Sequence, residues 1–258
     1  MKNIKFYVLI TTIFCYSCTS EITFDPEAPK PPSNAISDLI ISEISTYINT
    51  DATTGSTRNH YVELYNGTEK SVDLTQYAIG YQAVTDEKTL TPWNFTTAAN
   101  VLVLTGTLDN GKAYVIASPQ ASTTAVPRDI TWGTTSTSSA DASKPLQLSG
   151  NSAIALLKKD AAGTYVISGT NYKIIDVFGA PNVERITFKG SSSSRNNWMW
   201  VTAGELLDTR NRTFWRKATV KAPNPVWNAT KESVAADSEW TLSGDRLWVY
   251  TNVGIFTK

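Results

Sequence analysis

One short segment decides the fold class: Tyr61-Val62-Glu63-Leu64-Tyr65, followed directly by Asn66-Gly67. The apolar Val62 and Leu64 alternate with the other three side chains, and a period of two places the two groups on opposite faces of a β-strand. Asn-Gly favours a tight turn, because both residues tolerate a positive φ. The segment therefore predicts a half-buried strand that ends in a turn.

Eight further short runs are rich in β-branched and aromatic residues and are bounded by turn residues, which is typical of strands. They are residues 39–44, 101–104, 113–117, 153–157, 174–178, 198–201, 213–216 and 247–250. No stretch of a dozen residues keeps a helical period, and at most one turn of helix is expected, at 231–236. Parallel strands need long crossover connections, so many short strands without helices predict an all-β, antiparallel sandwich or barrel. The Ser/Thr-rich residues 131–143 and 191–194 are expected to be surface loops.

The composition is that of a globular protein. The chain has 258 residues, 41% of them hydrophobic, with 23 basic and 23 acidic side chains. Such a composition argues against disorder. The balanced charge argues against a protein whose whole surface binds nucleic acid or membrane.

The first residues predict a lipoprotein signal peptide at 1–17. Lys2 and Lys5 precede an apolar run at 6–15 that is too short to span a bilayer comfortably. Ser17-Cys18 resembles a bacterial lipobox, in which a small residue precedes the cysteine that receives the lipid. Lipidation of Cys18 is therefore expected, and with it an outer membrane lipoprotein of the bacterial cell envelope. Simple secretion with a free thiol is the alternative.

The chain after cleavage has a spacer and one large folded region. Residues 18–37 are rich in proline and predict an extended tether, and residues 38–258 are expected to hold the sandwich with a C-terminal extension. Removing two lysines and no acidic residue leaves 21 basic against 23 acidic side chains. Cys18 would be the only cysteine left, which excludes a disulfide, cysteine-bound metal clusters and a cysteine nucleophile.

Motifs of catalysis are not found in the sequence. His60 is the only histidine, it has no flanking motif, and it is expected to lie in a loop. The patterns of serine hydrolases, nucleotide-binding loops, zinc proteases and EF-hands do not occur. A glycosidase that uses two carboxylates needs no local motif, so a pattern search leaves that possibility open. The expectation is a non-catalytic protein without cofactor or metal.

Glu63 lies between two aromatic residues on one face of the predicted strand, where it could act as an acid or a metal ligand. The alternative is that it accepts hydrogen bonds from a neighbouring loop or pairs with a base. The second interpretation is favoured, because the sequence places no other carboxylate at a useful spacing nearby.

The tryptophans suggest a surface for carbohydrate, since sugar rings stack on exposed indoles. Trp198 and Trp200 are two residues apart, so on a strand they face the same side. That arrangement suits a stacking platform, and it suits one layer of a sandwich core equally well. Trp198 and Trp200 are therefore candidate ligand-binding residues, and a core position is the favoured alternative.

A local excess of positive charge suggests a second kind of ligand. Residues 185–221 contain eight basic and two acidic side chains, a net charge of +6, and are interleaved with tryptophans. This pattern suits phosphates and stacked bases. Arg210 and Arg212 are the candidate contacts. The favoured alternative divides these charges between two faces of the fold.

Several blocks together resemble the lamin tail domain family, in an order that covers roughly residues 38–250. They are Leu39-Ile40-Ile41-Ser42-Glu43-Ile44, Tyr61 to Asn66, Ser71-Val72-Asp73-Leu74 with Tyr77, Leu104 through Ile116, Asn151 to Leu157, Ile175-Asp176-Val177-Phe178-Gly179, Phe214-Trp215-Arg216-Lys217 and Ser238-Glu239-Trp240. The resemblance implies an immunoglobulin-like β-sandwich. It also implies an exported protein, since bacterial members are typically exported, lipid-anchored or attached to secreted nucleases and phosphoesterases.

Together these features predict a lipid-anchored binding module that presents loops or a sheet edge to a protein or glycan partner. A carbohydrate- or nucleic-acid-binding module is one alternative. An accessory subunit of a separately encoded extracellular hydrolase is another.

Overall fold

A computed structural model of the chain describes residues 35–51, 55–83, 90–135, 145–148, 152–183, 186–187, 198–205 and 211–256. For residues 49–51, 55–57, 186–187 and 198–199 it describes the backbone alone. The expected signal peptide, Cys18, most of the tether, residues 136–143 of the first Ser/Thr-rich segment and all of residues 191–194 lie outside these residues. Among the described residues no helix is both long and apolar enough to cross a membrane.

Nearly all the regular secondary structure of the described chain is β-strand. The strands are β1 (Ile40–Ser45), β2 (Ile48–Asp51), β3 (Gly55–Arg58), β4 (Tyr61–Tyr65), β5 (Val72–Asp73), β6 (Tyr77–Ala83), β7 (Val101–Val103), β8 (Thr107–Leu108), β9 (Ala113–Ala117), β10 (Ile130–Thr131), β11 (Ser152–Lys159), β12 (Tyr165–Ile167), β13 (Thr170–Phe178), β14 (Ile186–Thr187), β15 (Trp198–Met199), β16 (Thr213–Arg216) and β17 (Trp240–Leu242). Short 3-10 turns lie at Leu74–Gln76 and Ala98–Asn100, and one short helix, α1, at Ala229–Glu232.

Two sheets enclose the main core. One has six strands in the order β10-β9-β4-β1-β16-β17, and the other has five in the order β12-β13-β11-β6-β7. All pairs in them are antiparallel except β9 with β10, which are parallel. Three small two-stranded sheets, β14-β15, β2-β3 and β5-β8, add to these. The predicted all-β, immunoglobulin-like antiparallel sandwich is confirmed.

A bulge in β1 determines which of its side chains face the core. The register with β4 shifts between Ile41 and Glu43, so Ser42 is the extra residue. Ile41 and Ile44 both enter the main core, although three positions separate them and an unbroken strand would turn them to opposite faces. The shift leaves Glu43 on the outer face of the six-stranded sheet.

Trp200 lies in the core, as the favoured interpretation predicted, and it is not part of an exposed stacking platform. It is 1% exposed, and its Nε1 donates a hydrogen bond to the carbonyl of Ser152 at 3.1 Å. Its ring contacts Trp227 edge-on at 6.3 Å between centroids, and Trp227 contacts Phe178 at 5.3 Å. Large apolar side chains fill the space between the two sheets of a sandwich, and Trp200 is one of them here.

Some predicted elements differ from the observed ones. Residues 247–250 do not form a strand. The chain crosses the outer face of the six-stranded sheet there, and the ring of Trp248 stacks on that of Tyr47 with 5.4 Å between the centroids. The expected helical turn is shifted and begins at the cap Asn228, whose Oδ1 accepts the backbone N–H of Lys231 at 3.0 Å. Nine of the described strands match no expected run: β2, β3, β5, β6, β8, β10, β12, β14 and β17. All but β6 have four residues or fewer, and β6 contains a glycine, so their patterns are hidden.

The outer face of the six-stranded sheet is covered by the chain's last described residues. Val253 and Trp248 pack with Tyr61 in one small apolar cluster, and Phe256 packs with Tyr65 in another, at 4.6 Å between the ring centroids. The aromatic residues of β4 are therefore buried, although they face away from the main core. This C-terminal segment, residues 247–256, closes over two carboxyl groups.

Candidate binding site over a buried carboxyl pair

Glu43 and Glu63 occupy opposite positions on neighbouring strands of the outer face. They are register partners in the antiparallel pair β1-β4, and they are 1% and 0% exposed. The sequence argument that no second carboxylate lies near Glu63 is therefore wrong. Glu43 and Glu63 are 20 positions apart in the sequence, but strand pairing places their side chains next to each other. The sequence does not show this pairing.

Each of the four carboxyl oxygens accepts a hydrogen bond. Ser42 Oγ donates to Glu63 Oε1 at 2.7 Å, and the backbone N–H of Gly254 donates to Glu63 Oε2 at 2.6 Å. The hydroxyl of Tyr61 donates to Glu43 Oε1, and Asn252 Nδ2 donates to Glu43 Oε2 at 3.0 Å. The interpretation of Glu63 as an acceptor of hydrogen bonds from a neighbouring loop is confirmed. The C-terminal segment is tied to both carboxyls.

The pair carries less charge than two ordinary carboxylates. Burial, and then the neighbouring charge of Glu63, raise the pKa of Glu43 to about 8, although its hydrogen bonds oppose the change. Burial also raises the pKa of Glu63, while the bonds from Ser42 and Gly254 lower it. At neutral pH Glu43 is therefore mostly a neutral carboxylic acid.

A pocket of about 590 Å³ opens beside this pair, between the sheet and the C-terminal segment. Its floor crosses three strands, because Trp215 of β16 pairs with Glu43 on one side and with Thr241 of β17 on the other. Its facing wall contains Asn252 and Phe256. The volume lies within the range of roughly 300–1,000 Å³ that is usual for small-molecule sites.

The structure does not assemble the predicted basic surface from the arginines that it describes. Arg212 is buried, and its guanidinium contacts Glu205 at 3.1 Å and donates to the carbonyl of Ser243 at 2.7 Å. The prediction that Arg212 meets a ligand is therefore wrong, since its donors are turned into the fold. Arg210 and the side chain of Trp198 lie outside the described residues.

Arg216 belongs to a buried ion network that joins the two sheets. Its Nη2 contacts Asp176 at 2.9 Å and Glu239 at 2.8 Å, and its guanidinium lies 4.8 Å from the ring centroid of Trp240. Asp176 also accepts the backbone N–H of Ile41 at 2.8 Å, across the sandwich. Four of the sequence blocks that resemble one family thus meet at one point of the structure.

His60 lies in the loop between β3 and β4, as expected, and its side chain there is buried and neutral. The backbone N–H of Leu148 donates to its Nδ1 at 2.9 Å. Burial lowers the pKa of His60 to about 4. Within the described part of the chain, no three histidine, cysteine, aspartate or glutamate side chains are grouped so that they could hold a metal ion.

Sequence reasoning missed the pocket, although one signal was present. Glu43 and Glu63 each interrupt an apolar strand, and a charged residue at such a position must find a partner on one face. Nothing in the sequence marks Asn252, Gly254 or Trp215 as their neighbours, because those residues are brought there by the path of a loop and by strand order.

The comparison with protein families agrees with the fold. The model of the Lamin Tail Domain family matches residues 32–178. A crystal structure of a DUF4876 family protein from Bacteroides thetaiotaomicron is similar over 80% of this chain and 68% of that one, with 12% sequence identity and a TM-score of 0.43. No curated protein matches the sequence. Because the family match covers more than half of the chain and the sandwich has the expected architecture, the protein belongs to the lamin tail domain family, a family of non-catalytic immunoglobulin-like domains.

Proposed function

We propose that the protein is a non-catalytic binding module held at the surface of a bacterial cell by a lipid on Cys18. The pocket over Glu43 and Trp215 receives the ligand. The observation that carries this proposal is the pairing of an open pocket of about 590 Å³ with a carboxyl pair that is closed to solvent. The pocket offers a binding surface, and the buried carboxyl pair offers no accessible reactive group.

The burial of the carboxyl pair supports binding rather than acid–base catalysis. A general acid or base must come within hydrogen-bond distance of the substrate. Both carboxyls are almost completely covered, and all four oxygens are engaged within the fold. Glu43 and Glu63 instead hold the C-terminal segment, which forms the second wall of the pocket.

The proposed display at the cell surface rests on the sequence. Ser17-Cys18 follows an apolar run, and a proline-rich spacer at 18–37 precedes the first strand. A tether of this kind holds a folded domain away from the lipid headgroups. The outer membrane of the cell envelope is the proposed location.

Retention of cells on coated surfaces tests the proposal. Bacteria that express the full chain are applied to surfaces coated with neutral polysaccharide, sulfated polysaccharide, gelatin or DNA. We expect at least one coating to retain them at least five times better than cells with an empty vector. The variant Thr241→Trp, which fills the pocket with a large side chain, is expected to return retention to the background.

A matched variant tests whether the pocket is the site. Thr230→Trp adds the same side chain on α1, away from the pocket, and is expected to leave retention unchanged. Equal retention of expressing and empty-vector cells on all four coatings would refute the proposed function. Retention that survives Thr241→Trp would refute the assignment of the pocket.

A further inference from the structure

The pocket floor joins an aromatic side chain to neutral hydrogen-bonding groups. Trp215 is half-buried and its indole nitrogen is covered, so the part of the residue that lines the pocket is carbon. The exposed Thr241 lies next to it on the sheet. From the facing wall, Thr251 contributes a hydroxyl and Asn252 an amide, whose Nδ2 already donates to Glu43. An apolar face edged by hydroxyls and an amide suits a sugar ring.

The charged groups at the pocket are already engaged inside the protein. Arg216 is paired with Asp176 and Glu239. Lys217 Nζ donates to the backbone carbonyls of Ala235 at 2.6 Å and Ala236 at 3.2 Å. An anionic ligand would have to displace these contacts, and the mostly neutral Glu43 gives a cation little to pair with.

We infer that the pocket between β16, β17 and the C-terminal segment binds an uncharged saccharide, with a ring stacked on Trp215 and its hydroxyl groups bonded to Thr241, Thr251 and Asn252. This inference rests on the proposed function and specifies its ligand class. Stacking supplies the apolar contact, and the surrounding neutral groups discriminate against phosphorylated, sulfated and cationic ligands.

Electrophoresis of the purified full-length protein in native gels tests the inference. The gels contain soluble starch, xylan, mannan or β-glucan, and matched gels contain dextran sulfate or no polymer. We expect at least one neutral polysaccharide to retard the protein and dextran sulfate not to retard it. Trp215→Ala is expected to weaken the interaction at least tenfold, as judged from the polymer concentration that halves the mobility.

Two further variants separate stacking from folding. Trp215→Phe keeps an aromatic ring and is expected to retain more affinity than Trp215→Ala. Trp93→Ala removes a half-buried tryptophan from a different pocket, beside Trp227, and is expected to leave the retardation unchanged. If Trp215→Ala unfolds the chain, Thr241→Trp takes its place and is expected to abolish retardation while the melting transition remains.

The outcomes distinguish this inference from the proposed function. Retardation by none of the four neutral polysaccharides, or retardation that Trp215→Ala leaves unchanged in a folded protein, overturns the saccharide assignment. Pocket-dependent retention of cells on gelatin, DNA or sulfated polysaccharide alone also overturns it, but leaves the binding module in place. Only equal retention of expressing and empty-vector cells on every coating refutes both the binding module and the saccharide assignment.

Discussion

Glu43 and Glu63 face each other across β1 and β4 beneath the C-terminal segment, and each holds that segment through one hydrogen bond. Like charges directly opposite each other on paired strands destabilise a sheet. Burial keeps Glu43 mostly protonated at neutral pH and so removes much of that repulsion. The pair fastens the segment without the full energetic cost of two buried charges.

Stability is expected to fall between pH 6.5 and 8. Since the pKa of Glu43 is raised from 4.5 to about 8, the folded chain keeps a proton there that the unfolded chain releases, and the unfolding free energy falls as the pH rises. His60, with its pKa lowered from 6.5 to about 4, acts in the opposite direction below pH 6.5. Between pH 6.5 and 8 His60 no longer offsets the effect of Glu43. The unfolding free energy is expected to fall there by up to about 2 kcal/mol. Urea denaturation at several pH values measures it.

The control for this prediction is Glu43→Gln, which is neutral at every pH. Its unfolding free energy is expected to change less between pH 6.5 and 8 than that of the wild type, and to be higher at pH 8. Asp237→Asn, which removes an exposed acidic side chain, is expected to keep the wild-type slope. A Glu43→Gln protein with the wild-type slope would contradict the assignment to Glu43.

Gly179→Ala is expected to destabilise the protein more than Gly169→Ala. Both glycines have a positive φ, +71° and +80°, so alanine costs roughly 1 kcal/mol of backbone strain at either position. At Gly179 a Cβ would also lie 2.3 Å from the ring of Trp200, whereas at Gly169 it would meet no atom within 4 Å. Overpacking adds roughly 1–3 kcal/mol. Equal losses of stability for the two variants in thermal denaturation would show that the Trp200 side chain moves aside at little cost.

Arg216→Met is expected to destabilise the protein by about 3–5 kcal/mol, because it leaves the fully buried Asp176 without its cationic partner. The double variant Asp176→Asn with Arg216→Met is expected to be less damaged than the sum of the two single variants. A double-mutant cycle from urea denaturation measures the coupling. Strict additivity would contradict a direct interaction.

Truncation after Ala180 is expected to abolish cooperative unfolding. It removes β16 and β17 from the six-stranded sheet, leaves one edge of β1 unpaired and uncovers the core that Trp200 and Trp240 fill. Differential scanning calorimetry compares the truncated and complete chains. A transition as sharp as that of the complete chain would instead establish a domain boundary near Pro181.

Cys18→Ala is expected to prevent acylation and to release the protein from the membrane fraction. Metabolic labelling with a radioactive fatty acid and cell fractionation measure these two effects. Cys15→Ala is the matched control and is expected to be labelled and retained normally. A Cys18→Ala protein that is processed and still fractionates with membranes would contradict the lipoprotein prediction.

The candidate site was predictable only in part. The alternation along β4 placed Tyr61, Glu63 and Tyr65 on one face, and the structure confirms that they share it. It did not show that this outer face is buried, since the residues that cover it, among them Val253, come almost two hundred positions later. For the same reason Trp215, whose strand was predicted, could not be recognised as a pocket residue.

The sequence by itself determined the fold class and eight of the seventeen described strands, because period-two alternation and turn residues act locally. It also identified the family, whose blocks occur in order along the chain. Only the tertiary structure decided which carboxyls meet and which tryptophans are buried. The bulge at Ser42 turns Glu43 to the same face as Glu63, and the layer between the sheets encloses Trp200. Both outcomes depend on register and packing between distant segments, where a shift of one residue exchanges the two faces of a strand.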